Sequence, residues 1–314
     1  MSYIGAIDIG GTKTMAGIVT EKGDIVAKRY FPTLTSDCFT HFADCYARFL
    51  ACLSDLHLDI SAIEGIGINM PGMVDAPTGV LLQAPFAGWY DIDVKGHFSR
   101  LFGTDRIFVE NDVNACAVGE LVFGKAVDNF LWVTVSTGIG GAIIIDRQLV
   151  HGFNSCAGEI GHVKVEYERP ARCSCGHIGC AEAHGSGTAI TRMFTEKAQQ
   201  DKALSALLAI RNLPTDAKTC AILAQEGNTL ALGVLETAGT YIGRALSYAA
   251  NLLNPQMIYI GGGVSDSLEL LLPSIRAEFL KQTVKQNAGI NIAKTSLAYD
   301  AALLGAAALC LKIL

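Results

Sequence analysis

Charge is scarce in this sequence: Asp, Glu, Lys and Arg make up 17% of the 314 residues, and no run of Lys and Arg occurs. With a formal net charge of −6, the chain has no clustered basic surface for a polyanion. Nucleic acid and anionic membrane are therefore excluded as expected partners. It also lacks any apolar stretch of the roughly 18 to 20 residues that a membrane span requires. The opening MSYIGAIDIGG has neither the positive flank nor the small-residue cleavage site of a signal peptide, so its apolar residues read as a first strand. Without a secretion signal, the 10 cysteines point to a reducing cytoplasm, where thiols stay free or bind metal.

What is present is a sizeable core. Half of the chain is hydrophobic, and its length suggests two domains. Cys38, Cys45 and Cys52 recur every seven residues in DCFTHFADCYARFLACLSDL, together with Phe42, Phe49 and Leu53. That spacing predicts the apolar stripe of an amphipathic helix over about 38–56. Ahead of it, residues 4–9 form an apolar run broken by Asp8, GGTK turns the chain, and two further strands meet at Glu21–Asp24. After it come a buried strand IEGIGINM, the loop PGMVDAPTG, a strand RIFVEN and a helix DVNACAVGELVFG with Asp112 as its expected cap.

At Phe130 the grammar restarts. FLWVTVSTGIGGAIIIDRQLVHG repeats the strand, glycine turn, strand, short turn, strand order of IGAIDIGGTKTMAGIVTEKGDIV. This internal repeat implies two related α/β halves with a cleft between them. The C-terminal part is mostly helical: a long helix ending at NLLNP, a buried strand QMIYIGGGV, a helix over Leu268–Gln282, and a last helix AALLGAAALCLKIL apolar enough to pack on another domain.

Three glycine-dense turns each follow an apolar strand: DIGGTK (8–13), STGIGG (136–141) and IGGGVS (260–265). Glycine lets backbone N–H groups approach an anion with no Cβ in the way, although such turns also serve as plain hairpins. Neither Walker A spacing nor GxGxxG is present, since Ile143 falls where the last glycine is needed. A second kind of signal lies in RCSCGHIGC, which places Cys173, Cys175 and Cys180 in nine positions. With one histidine they make a Cys₃His set suited to a closed tetrahedral zinc site. Spacing alone leaves His162, His177 and His184 open as the fourth ligand.

AIDIGGTK, GINMPGMVD, VENDVNA, VSTGIGG, AGEIGH, CSCGHIGCAE and YIGGGVS occur in the order and spacing of the ROK family of sugar kinases, which the chain resembles over essentially its whole length. The resemblance implies an α/β, actin-like (ribonuclease H-like) two-domain ATPase fold with central mixed sheets and an inter-domain cleft. The smaller domain is expected over 1–118, joined by the C-terminal helix at about 300–314, and the larger over 119–299 with the zinc loop at 162–180. By the same likeness, Gly10, Gly11, Thr12 and Lys13 face the ATP phosphates from one domain, Thr137 and Gly138 from the other, and Gly261 and Gly262 lie near the adenosine. Ala142 stands where many members carry a third glycine, which is expected to narrow the turn.

Phosphoryl transfer needs an in-line hydroxyl, charge compensation and a base. Asp112 is the expected base, with helix capping as its competing role. Asp8, an acid inside an apolar strand, is costly unless used, and is assigned to Mg²⁺ or its waters. The resemblance supplies Asn111, Glu159, His162 and Glu182 for the sugar hydroxyls, with Pro71–Gly72 at the pocket edge. Trp89 either closes the mouth by stacking or packs in the core. The family pattern selects His162 as the fourth ligand of structural Zn²⁺. Because His162 stands three residues from Glu159, and Cys180 two from Glu182, a zinc ion there is expected to position both acids.

The expected activity is phosphorylation of a hexose hydroxyl by ATP, the 6-OH as in glucokinases, with N-acetylmannosamine, N-acetylglucosamine and fructose as alternative acceptors. A ROK transcriptional regulator is the alternative of another class. It is disfavoured because the phosphate hairpin begins by residue 8, leaving no preceding helix-turn-helix, and no basic recognition helix appears. The resemblance also implies a cytoplasmic homodimer or homotetramer.

Overall fold

The structure is a computed structural model and describes residues 2–311. The chain divides into two compact units. One comprises the residues up to Trp132, then Ala142–Ala157, then those from Thr295 onward; the other comprises Val133–Gly141 and Gly158–Lys294.

The first unit grows from the opening hairpins. β1 (Tyr3–Ile9), β2 (Lys13–Thr20) and β3 (Ile25–Pro32) pair antiparallel around the two turns that the sequence marks. α1 (Cys38–Asp55) is capped by Asp37, whose carboxylate accepts from the Phe39 N–H. It carries the chain across to β4 (Ile63–Met70), parallel to β1. A small antiparallel sheet of β5 (Met73–Asp75), β6 (Val80–Ala84) and β7 (Trp89–Asp93) leads into α2 (Val94–Phe102), and β8 (Ile107–Asn111) adds parallel to β4. The main sheet thus has the order β3-β2-β1-β4-β8.

α3 (Asp112–Phe123) follows without a loop. Its cap is Asn111 and not, as expected, Asp112: the Asn111 backbone is extended (φ −61, ψ 146) and its Oδ1 accepts from the N–H groups of Val113 and Asn114. Asp112 is the first helical residue, where a negative charge suits the helix dipole.

β9 (Phe130–Val135), β10 (Ile139–Ile145) and β11 (Gln148–Leu149) are the second hairpin set, and β9 and β10 each run from one unit into the other. The helices α4 (Ala181–Gly185), α5 (Gly187–Gln200), α6 (Lys202–Ile210), α7 (Ala217–Gln225) and α8 (Thr229–Leu253) come next. Then follow β12 (Met257–Gly261), α9 (Leu268–Gln282), β13 (Asn291–Lys294) and α10 (Ala301–Ala308). The last expected helix continues as a 3₁₀ turn over Leu309–Leu311; its final part, 312–314, lies outside the described residues. The second sheet has the order β11-β10-β9-β12-β13, the same path as the first, strand for strand. The repeat read from the sequence is therefore a repeat of topology. Among the described residues no helix is long and apolar enough to cross a membrane.

Alternation along β1 decides the two faces of the first sheet. Ile7 and Ile9 join Phe42, Cys45, Phe49 and Cys52 of α1 and Phe98 of α2, so the seven-residue cysteine spacing is a packing stripe. Burial pushes the Cys52 thiol up to about 11 and Cys45 further still. Trp89 belongs to the same core: it is 5% exposed, its indole N–H donates to the Thr35 carbonyl at 3.0 Å, and its ring meets Phe42 edge-on. Of the two roles open to it, core packing is the one it has. Ile4 and Ala6 face the other way, onto Leu303, Ala306 and Ala307 of α10.

α10 lies so close to the sheet that a Cβ at Gly67 of β4 would stand 1.7 Å from the Ala306 carbonyl oxygen. Gly67→Ala is expected to destabilise by about 3 kcal/mol or more, because backbone must move to admit it. Gly233 in α8 has open space around its Cβ position, so Gly233→Ala should stabilise by about 0.5–1 kcal/mol. Urea unfolding midpoints of the two variants check the contrast, and equal shifts would refute the packing argument.

Candidate functional site

In the first unit, the turn after β1 is held from below. Gly10 N–H donates to the Lys13 carbonyl at 3.0 Å, and Thr33 N–H to the Thr12 carbonyl at 3.0 Å. The Gly10 carbonyl accepts from the Thr33 hydroxyl at 2.7 Å. Thr33 pairs with Thr14 at 2.8 Å, and Thr14 with Nε2 of the buried His41 at 2.9 Å. Since His41 Nδ1 accepts from the Leu34 N–H at 3.3 Å, its proton sits on Nε2 and points into this chain. Burial holds His41 below its ordinary value. Nothing in the sequence linked His41 to the turn, because the connection exists only once α1 packs on β2. Gly11, Thr12 and Lys13 are exposed. The Lys13 ammonium lies 3.9 Å from the centroid of the Tyr30 ring, a cation–π contact that parks its charge beside the turn.

Asp8 is on the same face of β1 as Ile4 and Ala6, and is 8% exposed. Burial, reinforced by the charge of Asp112, pushes its carboxyl up to about 7. Asp112 itself is oriented by Asn111, whose Nδ2 donates to its Oδ1 at 3.0 Å and to the Gly72 carbonyl at 3.0 Å. Gly72 (φ +130) makes the turn after Pro71 possible, since a Cβ there would meet the Gln83 carbonyl at 2.3 Å. The structure therefore brings Pro71, Gly72, Asn111 and Asp112 to one corner.

In the second unit, one ligand atom from each of His162, Cys173, Cys175 and Cys180 lies within 4.8 Å of the others. Cys173 Sγ is 3.8 Å from His162 Nδ1, and Cys175 Sγ 3.7 Å from Cys180 Sγ. A zinc tetrahedron with bonds of about 2.3 Å has edges of about 3.8 Å, so the donor set fits that ion. The other two histidines are placed differently. His184 Nε2 accepts the Ala171 N–H at 3.0 Å and its ring packs on Tyr241, while His177 lies outside the four-residue set. Burial pushes the Cys173 thiol up to about 12. At Cys175 burial also acts to raise the value, but hydrogen bonds from His177, Cys173 and Cys180 outweigh it and hold the thiol at about 6.

Two acids flank the cluster. Glu159 Oε2 is 3.8 Å from His162 Nε2, on the side of the ring away from the thiols. Glu182 Oε1 accepts from the Ser174 hydroxyl at 2.7 Å and from the Cys173 thiol at 3.5 Å, and its Oε2 from the Ile139 N–H at 3.1 Å. Gly138 sits directly against this carboxylate: a Cβ there would be 2.4 Å from Oε2. Ala142, expected to narrow the turn, is buried within β10, beyond the turn residues 136–138.

Also in the second unit is a cavity of about 720 Å³. Its walls include the apolar side chains of Ile222, Leu235 and Val264, with Thr137, Lys218 and Gln225 supplying polar groups. Gly263 lines it, whereas Gly261 ends β12 and Gly262 (φ +83) forms the turn just before. The contributions of α5 and α7 follow no glycine-dense turn after a strand, the signal that marked the other candidate residues. Thr188 ties α5 to the glycine turn, its hydroxyl donating to the Thr137 carbonyl at 2.8 Å.

A sequence model of the ROK family matches residues 4–313. A glucokinase of Halalkalibacterium halodurans is 34% identical over 311 residues, covering 96% of this chain and 93% of that protein. The xylose repressor of Bacillus subtilis is 31% identical over 293 residues, covering 90% and 70%. Among solved structures, a ROK family glucokinase from Streptomyces griseus in complex with glucose and AMPPNP superposes with a TM-score of 0.83 at 30% identity, covering 98% of this chain and 99% of that one. The α/β, actin-like ATPase fold with mixed sheets expected from the motifs is the fold observed.

The Asp8 environment makes stability depend on pH. Its folded pKa, about 7, lies above the unfolded value near 3.8, so the folded chain holds the extra proton between the two. The stabilising contribution is intact below about pH 4 and lost as pH rises through about 7. Asp8→Asn, which cannot ionise, should therefore be more stable than the parent by a few kcal/mol at pH 8 and nearly equal to it at pH 4. Urea titrations of both proteins at the two pH values, in chelator, check this; a difference independent of pH would remove the buried-charge account.

Proposed function

This chain belongs to the ROK family, and from that membership we propose that it is an ATP-dependent sugar kinase acting on a hexose hydroxyl, the 6-OH of glucose first among candidates. The observation that carries the reading is the corner at Asn111–Asp112. Capping falls to Asn111, and Asn111 also orients the Asp112 carboxylate. Asp112 is thereby suited to accept a proton from a bound hydroxyl as the γ-phosphoryl group moves to it.

Other residues fall into supporting roles. Asp8, buried and strained by the charge of Asp112, is suited to hold Mg²⁺ or its waters, which would supply positive charge to the phosphates. The turn residues Gly10, Gly11, Thr12 and Lys13, with Thr137 and Gly138, are assigned to the phosphates. The cavity lined by Thr137, Lys218, Gln225 and Gly263 has the size and mixed lining of a nucleoside site. Gly261 and Gly262 shape its border through the turn after β12. Asn111, Glu159, His162 and Glu182 are assigned to the sugar, with Pro71 and Gly72 at its edge. His162, Cys173, Cys175 and Cys180 would hold a structural Zn²⁺ that fixes the loop carrying Glu182.

The glucokinase likeness runs nearly the full length of both chains, which supports glucose over N-acetylhexosamines and fructose. The similar identity to a xylose repressor favours a second reading, a sugar-responsive regulator that does not turn over. Fold does not separate the two; turnover does.

Assays of the purified chain with ATP and a panel of hexoses and N-acetylhexosamines should give ADP and hexose phosphate, fastest with glucose. Asp112→Asn should lower kcat by roughly 10²- to 10⁴-fold while the protein still unfolds in a single cooperative transition. Absence of turnover with every sugar would leave the regulator reading instead. In a separate test, Cys175→Ser is expected to lose bound zinc, measured by metal analysis, and to raise the KM for sugar. Intact sugar affinity in zinc-free protein would defeat the positioning role of the loop.

A further inference from the structure

Glu110 and His151 have no part in the scheme above, yet they adjoin its central corner. Glu110 is the residue before Asn111, and its side chain is 3% exposed against 32% for His151. A carboxylate so buried is costly unless donors surround it. Three do. Oε1 accepts from the Asn111 backbone N–H at 2.8 Å and from Asn114 Nδ2 at 3.0 Å. Oε2 faces His151 Nε2 at 2.7 Å.

The path onward to the reacting group is short. Asn111, whose N–H is held by Glu110, caps α3 and donates from Nδ2 to Asp112. His151 is itself fixed from the other side, its carbonyl accepting the Ala157 N–H at 3.1 Å. The charged groups acting on the imidazole are Glu110 from β8 and Asp75 from β5, both acidic. The hydrogen bond to Glu110 outweighs burial and raises His151 above its ordinary value.

We propose that His151 is a positioning residue: as the cationic partner of Glu110 it holds the β8–α3 corner in the geometry in which Asn111 aligns Asp112 with the sugar hydroxyl. The consequence for catalysis rests on the kinase reading; the coupling of His151 to the corner does not. A raised histidine keeps its charge below its folded pKa and loses it as pH rises through that value. Deprotonation then leaves Glu110 buried without a counter-charge, and the corner relaxes. The alkaline limb of kcat belongs to His151.

Two measurements test this. In the Asp8→Asn protein, which lacks the other group of this corner that titrates near 7, NMR titration should show the Asn111 amide and the Asn114 side-chain amide shifting with the same midpoint as the His151 ring, above the ordinary value of about 6.5. An Asn111 signal that ignores the imidazole titration overturns the coupling, whatever the chain's activity. In kinetics, His151→Gln keeps a donor without the charge and should lower kcat roughly tenfold, with KM for sugar and ATP within about twofold. His151→Arg should recover most of that loss and abolish the alkaline limb. A folded His151→Gln with wild-type kcat and an unaltered alkaline limb would overturn the catalytic role. If the wild-type chain phosphorylates nothing, the kinase reading fails by itself, and the NMR titration still decides whether His151 and the corner move together.

Discussion

An apolar sheet flanked by apolar helices cannot solvate a carboxylate, and among its described residues the first unit buries three. Each is treated differently. Glu120 of α3 accepts from the hydroxyls of Thr295 and Ser296 and from the Ser296 N–H, so it anchors the chain where it returns to this unit. Glu110 is satisfied by two asparagines and a histidine. Asp8 receives no side-chain hydrogen bond among the described residues, and lies in the field of Asp112, which is why its proton is held up to about 7. The first two arrangements lower the cost of burial and so contribute to the fold. The third leaves the cost standing, and that is what the Mg²⁺ role proposed for Asp8 would account for.

Much of this was legible in the sequence because the informative signals were local. The glycine turns after β1 and β9 and the cysteine stripe of α1 each lie within a few residues of what they determine. The three-strand hairpin repeat was legible for the same reason, as two copies of one short pattern; the fourth and fifth strands that complete the matching sheet orders were not part of it. At the Asn111–Asp112 step the sequence reading took Asp112 as the cap; the backbone places the cap one residue earlier, at Asn111, whose extended ψ of 146 leaves Asp112 inside the helix. Trp89 was ambiguous, because its fate depends on Phe42 and Thr35, distant in sequence. The His41 chain, the Glu110–His151 pair and the cavity walls from α5 and α7 carried no local signal. Each is assembled from elements that meet only after packing.

The cysteine loop adds a connection beyond the positioning of two acids. Glu182 spends one oxygen on Ser174 and Cys173 of the loop and the other on the Ile139 N–H at the end of the glycine turn. It is thus a strut as well as a candidate sugar ligand. Loop and turn share one carboxylate, and the turn's Thr137 carbonyl is tied in addition to Thr188 of α5. Disorder in the loop therefore reaches the border of the 720 Å³ cavity without crossing any apolar core. A metal bound by the four ligands would restrain both sides of the strut at once.

Kinases and regulators share this family's fold, so the difference between them has to lie in residues rather than in architecture. A regulator needs a pocket that closes on sugar; a kinase needs in addition a base held in line and a carboxylate ready to take a cation. Binding alone gives no reason to keep Asp8 in an apolar strand or to set Asp112 beside it, since each charge makes the other harder to bury. Turnover does, because the phosphoryl group brings both the cation and the proton acceptor's task to the same place. On the kinase reading proposed above, that chemistry accounts for the cost written into the first sheet.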